Sequence, residues 1–226
     1  MGEQSLGLKP EALLFDAYGT LFDVDSVTAA CEERFSGRGR ELSAVWRRKQ
    51  LEYSWLLNQM ERFEDFWQVT GKALAFALKA LALPADAGVK ERLMQQYLHL
   101  KTFADARETL ASLSGYPRYI LSNGSAKMLQ TLVENAGIQD YLMDIISVDA
   151  VRKFKPSPEV YRLAVNKAGK VPEAVGLVSG NAWDASGAKS AGLLAYWVDR
   201  GVGPCEELGF APDAKVNQLA QLATIL

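Results

Sequence analysis

The sequence predicts an α/β chain: a parallel sheet core with a helical cap inserted after the first strand. Three observations carry this expectation. Short apolar runs end on polar clusters: Leu13-Leu14-Phe15 before Asp16, Tyr119-Ile120-Leu121 before Ser122 and Asn123, and Val175 to Val178 before Ser179. From about Asp25 to about Ala104 the periodicity is helical only. From about Asp105 onward strand and helix patterns alternate, which argues for parallel strands joined by right-handed crossovers, a Rossmann-like arrangement. Residues 1–24 and 105–226 are therefore expected to form the core and 25–104 the cap.

In chain order, the first strand ends on Asp16, followed by Tyr18-Gly19-Thr20. A helix is expected over Arg40 to Met60, with apolar residues at Leu42, Val45, Trp46, Leu51, Trp55 and Leu56. A second runs from Phe66 to Leu81 through Val69, Ala73, Phe76, Ala77 and Ala80, and a third amphipathic stretch covers Ala85 to Leu100. The core then alternates strand Arg118–Ser122, helix Ala126–Asn135, strand Ile145–Val148, helix Pro158–Ala168, strand Val175–Ser179, helix Asp184–Ala191 and strand Leu194–Val198. Ser157 suits an N-cap and Pro158 the first helical position. In a parallel sheet the strand ends share one edge, so the polar clusters converge on one site, where open α/β sheets bind ligands.

Composition bounds the alternatives. The chain has 226 residues, 49% hydrophobic, and a formal net charge of −2. That supports a sizeable core and gives no nucleic-acid footprint. No run is long and apolar enough to suggest a membrane span. Met1 to Ser5 lacks the basic start and apolar core of a secretory signal, and Leu6 breaks the myristoylation pattern. Cys31 and Cys205, the two cysteines, read as reduced thiols of a cytoplasmic protein. The single histidine, His99, lies away from the motifs, which disfavours a Ser-His-Asp or Cys-His triad.

Asp16 is hard to explain as packing, because an acid ending a buried strand must be compensated. A carboxylate needs no activation at neutral pH, its ordinary pKa being about 3.9. It can attack carbon or phosphorus and form a covalent ester.

Four segments in this order resemble the haloacid dehalogenase superfamily, and most fully its type II (L-specific) 2-haloacid dehalogenase branch. They are Phe15-Asp16-Ala17-Tyr18-Gly19-Thr20-Leu21-Phe22-Asp23, Leu121-Ser122-Asn123-Gly124-Ser125, Lys155-Pro156 and Ser179-Gly180-Asn181-Ala182-Trp183-Asp184, joined by Trp46-Arg47-Arg48-Lys49-Gln50-Leu51-Glu52-Tyr53 in the cap. The resemblance implies a metal-independent hydrolase without cofactor that turns short-chain (S)-2-haloacids into (R)-2-hydroxyacids. Asp16 is then the nucleophile, with Thr20, Lys155, Ser179, Asn181 and Asp184 as its polar support. Arg47 and Asn123 cradle the leaving halide, Ser122 meets the substrate carboxylate, and Tyr18 and Tyr161 join the substrate site. Leu51, Phe66 and Trp183 form its apolar wall. The resemblance also implies a homodimer, for which Trp55, Leu56, Leu57 and Met60 offer a surface. Gly180 stands where a second serine is common in the family.

The chemistry can be argued independently. Displacement at the α-carbon of a 2-haloacid brings two carboxylates together; at about 4 Å and an effective dielectric near 20 their repulsion is roughly 4 kcal/mol. Fixed cations and donors must offset it, and Arg47, Lys155, Asn123 and Ser122 have the right chemistry. Ester hydrolysis then needs a base, with Asp184 the candidate and Lys155 an alternative. Arg47-Arg48-Lys49 alone reads as a solvated helix face, and Asp184 as an N-cap of the helix it opens. Two other readings stand beside dehalogenation. One is a magnesium-dependent small-metabolite phosphatase on the same scaffold. Tyr18 disfavours it, because phosphatases of this superfamily carry a second Asp at that position. The other is a catalytically silent binding scaffold.

Overall fold

The computed structural model describes residues 9–201 and 203–226. Met1 to Leu6, on which the signal and lipidation readings rest, lie outside the described residues. The chain begins with β1 (Ala12–Phe15) and β2 (Phe22–Asp23), then enters the helices α1 (Asp25–Arg34), α2 (Gly39–Gln59), α3 (Phe66–Ala80) and α4 (Ala87–Gln95). It returns through β3 (Lys101–Thr102) and α5 (Ala106–Ser112) to β4 (Arg118–Ser122), α6 (Ala126–Ala136) and β5 (Asp144–Ser147). The remainder is α7 (Pro158–Ala168), β6 (Val175–Ser179), α8 (Ala182–Ser190), β7 (Leu194–Val198), β8 (Ala214–Val216) and α9 (Leu222–Ile225).

Six strands form one sheet in the order β5-β4-β1-β6-β7-β8. Every pairing within it is parallel. β1 is central and buried throughout. The chain builds outward from it to β4 and β5 on one side, then to β6, β7 and β8 on the other. The strand order therefore reverses at β1, the point where open sheets leave a crevice for ligands.

Local chemistry fixes the helices that bear on that crevice. Asp65 caps α3 by accepting from the backbone N–H groups of Trp67 and Gln68, and Asp86 caps α4 through Val89. Ser125 caps α6, and Pro158 opens α7 at its first turn. Ser157 stands at the N-cap of α7, but its hydroxyl donates to Glu159 rather than capping the backbone.

The structure departs from sequence expectation at particular points. The stretch 25–104 is not wholly helical: Lys101–Thr102 pairs antiparallel with Phe22–Asp23, so a two-stranded ribbon brackets the helices α1 to α4. β5 begins one residue earlier than expected. α8 begins at Ala182 with Asn181 as its N-cap, so Asp184 lies within the first turn and is not the cap. Leu57 packs against the core cluster, whereas Leu56 and Met60 are exposed.

Candidate active site

Asp16 follows β1 directly and is 5% exposed. Its two oxygens have different surroundings. Oδ2 accepts from Thr20 Oγ1 at 3.0 Å and from Asn181 Nδ2 at 2.7 Å. Among the described residues Oδ1 accepts only from Lys155 Nζ, at 3.2 Å. Thr20 is itself held, because its hydroxyl oxygen accepts from the Gly180 N–H at 2.8 Å. A Cβ on Gly180 would come within 2.2 Å of the Gly19 carbonyl oxygen. The glycine therefore lets the β6 loop approach the β1 loop closely enough for that bond.

Lys155 is 1% exposed, and its Nζ also donates to Asp184 Oδ2 at 2.8 Å. It precedes α7 in a loop with a cis Lys155–Pro156 bond. Burial works against its charge, but the Asp16 and Asp184 carboxylates outweigh burial and raise its pKa. Asp184 is fully buried; its Oδ1 accepts from Tyr161 Oη at 2.8 Å. Burial raises its pKa against the opposing pull of Lys155, while the Asp16 charge adds to the rise. One ammonium thus sits between two carboxylates, one at the crevice and one behind it.

Ser122 ends β4 and Asn123 follows it. The backbone N–H of Lys155 donates to Asn123 Oδ1 at 2.8 Å, which leaves the Asn123 amide nitrogen as the group free to serve a ligand. Ser122 is fully buried and accepts from the Gly124 N–H at 3.2 Å. Ser179 ends β6 and accepts from the Asn181 N–H at 3.2 Å, shaping the turn that carries the Asn181 side chain to Asp16.

A small pocket is lined by Asp16, Tyr18, Ser122, Asn123, Lys155 and Asn181, with Arg47, Leu51, Phe66 and Trp183 completing its wall. Arg47, Leu51 and Phe66 come from the cap helices α2 and α3. Its free volume is about 10 Å³, room for one water at most. Beside it lies a cavity of about 440 Å³ that shares Arg47, Leu51, Asn181 and Trp183 and extends to Trp197, Arg200 and Cys205. Those four side chains border both spaces.

Of the residues expected at the site, Tyr161 takes a different place. It touches Asp184 and does not line the small pocket, because α7 packs behind Asp184. Thr20, Ser179 and Asp184 likewise act on the pocket through Asp16, Asn181 and Lys155. Tyr18 lines the pocket, its ring against Phe66 and Tyr97, and its buried hydroxyl has no hydrogen-bond partner among the described residues. Burial above all, with Tyr97 and Asp16, pushes its pKa far up and keeps it a neutral donor. His99 is exposed and meets Asn135, far along the chain from these motifs.

Sequence reading missed Gln50. The buried positions of α2 are Gly39, Leu42, Trp46, Gln50 and Ser54. The signal was there: Gln50 falls four residues after Trp46 and eight after Leu42, a polar residue inside the buried stripe.

A family model described as haloacid dehalogenase-like hydrolase matches residues 10–192. The chain is 43% identical over 211 residues to the (S)-2-haloacid dehalogenase of Pseudomonas sp. (strain YL), spanning 92% of this chain and 91% of that one. It is 49% identical over 190 residues to the (S)-2-haloacid dehalogenase of Xanthobacter autotrophicus, spanning 84% and 75%. Among solved structures it matches the L-2-haloacid dehalogenase of Xanthobacter autotrophicus with chloropropionic acid covalently bound, at TM-score 0.90 and 41% identity, covering 96% and 98% of the two chains.

Proposed function

This chain belongs to the haloacid dehalogenase-like hydrolases, and from that premise we propose that it hydrolyses short-chain (S)-2-haloacids to (R)-2-hydroxyacids through an ester on Asp16. The observation that carries the reading is the asymmetry of the Asp16 carboxylate. Oδ1, which among the described residues accepts only from Lys155, is the attacking atom; Oδ2 is held by Thr20 and Asn181 and becomes the ester carbonyl oxygen.

Attack by Oδ1 on the α-carbon from the side opposite the halogen breaks the carbon–halogen bond and inverts the centre. The halide leaves with the bonding pair, toward Arg47 and the Asn123 amide nitrogen. Ser122 and Tyr18 offer neutral donors to the substrate carboxylate, and Leu51, Phe66 and Trp183 keep bulk water out. Water then attacks the ester carbonyl carbon. Negative charge grows on Oδ2, where Thr20 Oγ1 and Asn181 Nδ2 already point, the arrangement of an oxyanion hole. The proton lost by water passes to Asp184, a carboxylate made more basic by burial, by way of Lys155 Nζ, which takes up the water proton as it gives one to Asp184 Oδ2. Collapse breaks the bond between Oδ1 and the Asp16 carboxyl carbon: the hydroxyacid leaves with Oδ1 and takes the proton held by Asp184, the second water proton passes to solvent, and the water oxygen completes the restored carboxylate. Lys155 stays charged and offsets the carboxylates on either side, so neither step needs a metal.

The exposed Leu56 of α2, Met60 just after it and Phe76 of α3 support the reading of a homodimer, which light scattering at micromolar concentration checks. Among the described residues no helix is long and apolar enough to cross a membrane, and Cys31 and Cys205 are free thiols. The free thiols support a cytoplasmic setting.

Halide release from (S)- and (R)-2-chloropropionate with EDTA present, beside a phosphatase assay with magnesium, tests the reading. Chloride from the (S) form alone, unaffected by EDTA, is the expected result. Magnesium-dependent phosphate release without chloride would overturn it.

A further inference from the structure

Gln50 is fully buried, and every polar atom of its amide is engaged. Nε2 donates to Thr70 Oγ1 at 2.9 Å. The Thr70 hydroxyl proton is already committed to the Phe66 carbonyl at 2.6 Å, so Oγ1 can only accept from Gln50. That fixes which way the amide faces: its oxygen must point the other way. There Oε1 accepts from Tyr97 Oη at 3.1 Å and from Arg47 Nη1 at 3.3 Å. Trp46 Nε1 ties the backbone of Thr70 to α2 at 2.9 Å. The same network thus holds the guanidinium of Arg47 and the backbone of Phe66, two of the groups that the cap brings to the pocket.

We propose that Gln50 is a positioning residue for the halide-leaving step: it aims Arg47 into the pocket with a neutral acceptor and so leaves the guanidinium charge uncompensated for the departing halide. This rests on the reading of Arg47 as a halide-binding cation. Arg47 makes no salt bridge among the described residues, in contrast to Lys155. A carboxylate at position 50 would hold the guanidinium as firmly but pair with its charge. A methylene chain there would leave the charge free but unaimed. A neutral amide does both jobs, and Thr70 locks its orientation.

The test compares Gln50→Glu, Gln50→Met, Thr70→Val and Thr70→Ser with the unaltered enzyme. It reads kcat, KM, inhibition of turnover by added bromide, and bromide binding by calorimetry in the absence of substrate. Gln50→Glu should weaken bromide binding by tenfold or more and lower kcat by a similar factor, with KM changed less. Gln50→Met should weaken both by several-fold, because aim is lost but charge kept. Thr70→Val should follow Gln50→Met, while Thr70→Ser, which keeps the hydroxyl, restores near-normal bromide binding. Bromide binding within twofold of the unaltered enzyme in folded Gln50→Glu and Gln50→Met variants would overturn the proposal, whatever their thermal stability. Should Gln50→Glu fail to fold, the Gln50→Met and Thr70 pair decides by the same criterion. If the unaltered enzyme released no halide from 2-haloacids, the dehalogenase reading would fall by itself, while the bromide titration would still judge Gln50.

Discussion

In the core, the site residues are fixed by charge and by the register of adjacent strands: Asp16, Lys155 and Asp184 form a buried chain of ion pairs at the edge of β1 and β6. In the cap, Arg47 is fixed by a neutral amide and Phe66 by its place in a helix start. The helix ends differ in the same sense. α6 and α7 close on Gly137 and Gly169 in the left-handed region, at φ 62° and 64°. α2 and α3 close with the same turn but on Glu61 and Ala82, at φ 55° and 52°. The site charges of the core are thus paired in burial, while the site groups carried by α2 and α3 are held by neutral contacts, and both of those helices close on turns without glycine.

The sharpest way to break the comparison is to remove the nucleophile, and then one cation from each region. Asp16→Asn should reduce halide release to background while leaving the fold intact. Lys155→Ala should cost about a hundredfold or more in rate, as loss of a preorganised electrostatic group does. It should also cost on the order of 3–5 kcal/mol of stability, because two buried carboxylates lose their partner. Arg47→Ala should match it in rate yet cost less than about 1 kcal/mol, since no buried acid is orphaned. Halide-release kinetics with denaturant unfolding of both variants checks this; equal stability losses would remove the contrast.

A smaller effect concerns pH. Burial raises the pKa of Asp184, so as pH falls this base is protonated before an ordinary exposed aspartate would be. Ester hydrolysis should therefore slow on the acid side, beginning above pH 3.8, the ordinary value, and the covalent ester should accumulate there. Asp184→Asn should slow hydrolysis at every pH and flatten that acid limb. Mass spectrometry of acid-quenched enzyme, following the adduct on Asp16, separates this from slowed attack. A limb unchanged in Asp184→Asn would point to another base.

The core was the more legible half of the sequence. Polar residues directly after an apolar strand announce themselves, and β4, α7, β6 and β7 fall where the pattern puts them. β2, β3 and β8 were not legible, because two or three residues carry no periodicity. Asp184 read as a helix cap because the pattern does not distinguish Asn181 from a residue three positions on. Tyr161 could be assigned to the site but not to the far side of Asp184, since only packing decides which partner a buried phenol meets. Gln50 was hidden for the opposite reason: a polar residue breaks an apolar stripe in the sequence, yet in the fold its partners Thr70 and Tyr97 come from 20 and 47 residues away.

The contact between the two regions offers a further test. Asn58, near the end of α2, grips the backbone of Phe154 with both ends of its amide: Nδ2 donates to the carbonyl and Oδ1 accepts the N–H, each at 2.8 Å. Phe63 and Phe66 pack on the Phe154 ring at 5.0 and 6.0 Å. Asn58→Ala should cost about 1–3 kcal/mol, because the Phe154 N–H loses its partner. It should also raise KM more than it lowers kcat if it loosens the docked cap without disturbing the charged floor. A loss confined to kcat would mean that the grip acts on Lys155, the next residue, rather than on closure.

The least effect should come from relieving the strained cap turns. After α3, the Leu83 N–H reaches the Leu78 carbonyl at 2.9 Å and the Ala82 N–H reaches that of Lys79 at 3.2 Å, the double closure that normally places glycine at the position of Ala82. A Cβ in the left-handed region costs roughly 1–2 kcal/mol, and glycine's greater freedom in the unfolded chain returns part of that. Ala82→Gly should therefore stabilise by about 0.5–1 kcal/mol, a rise of roughly 1–4 °C in Tm for a chain of this size. At Gly137, where the core already uses glycine, Gly137→Ala should destabilise by a similar amount. Calorimetry on the pair measures the same backbone turn in both regions. If Ala82→Gly left Tm unchanged or lowered it, the strain assigned to the cap would be absent, and the contrast would reduce to how the two cations are held.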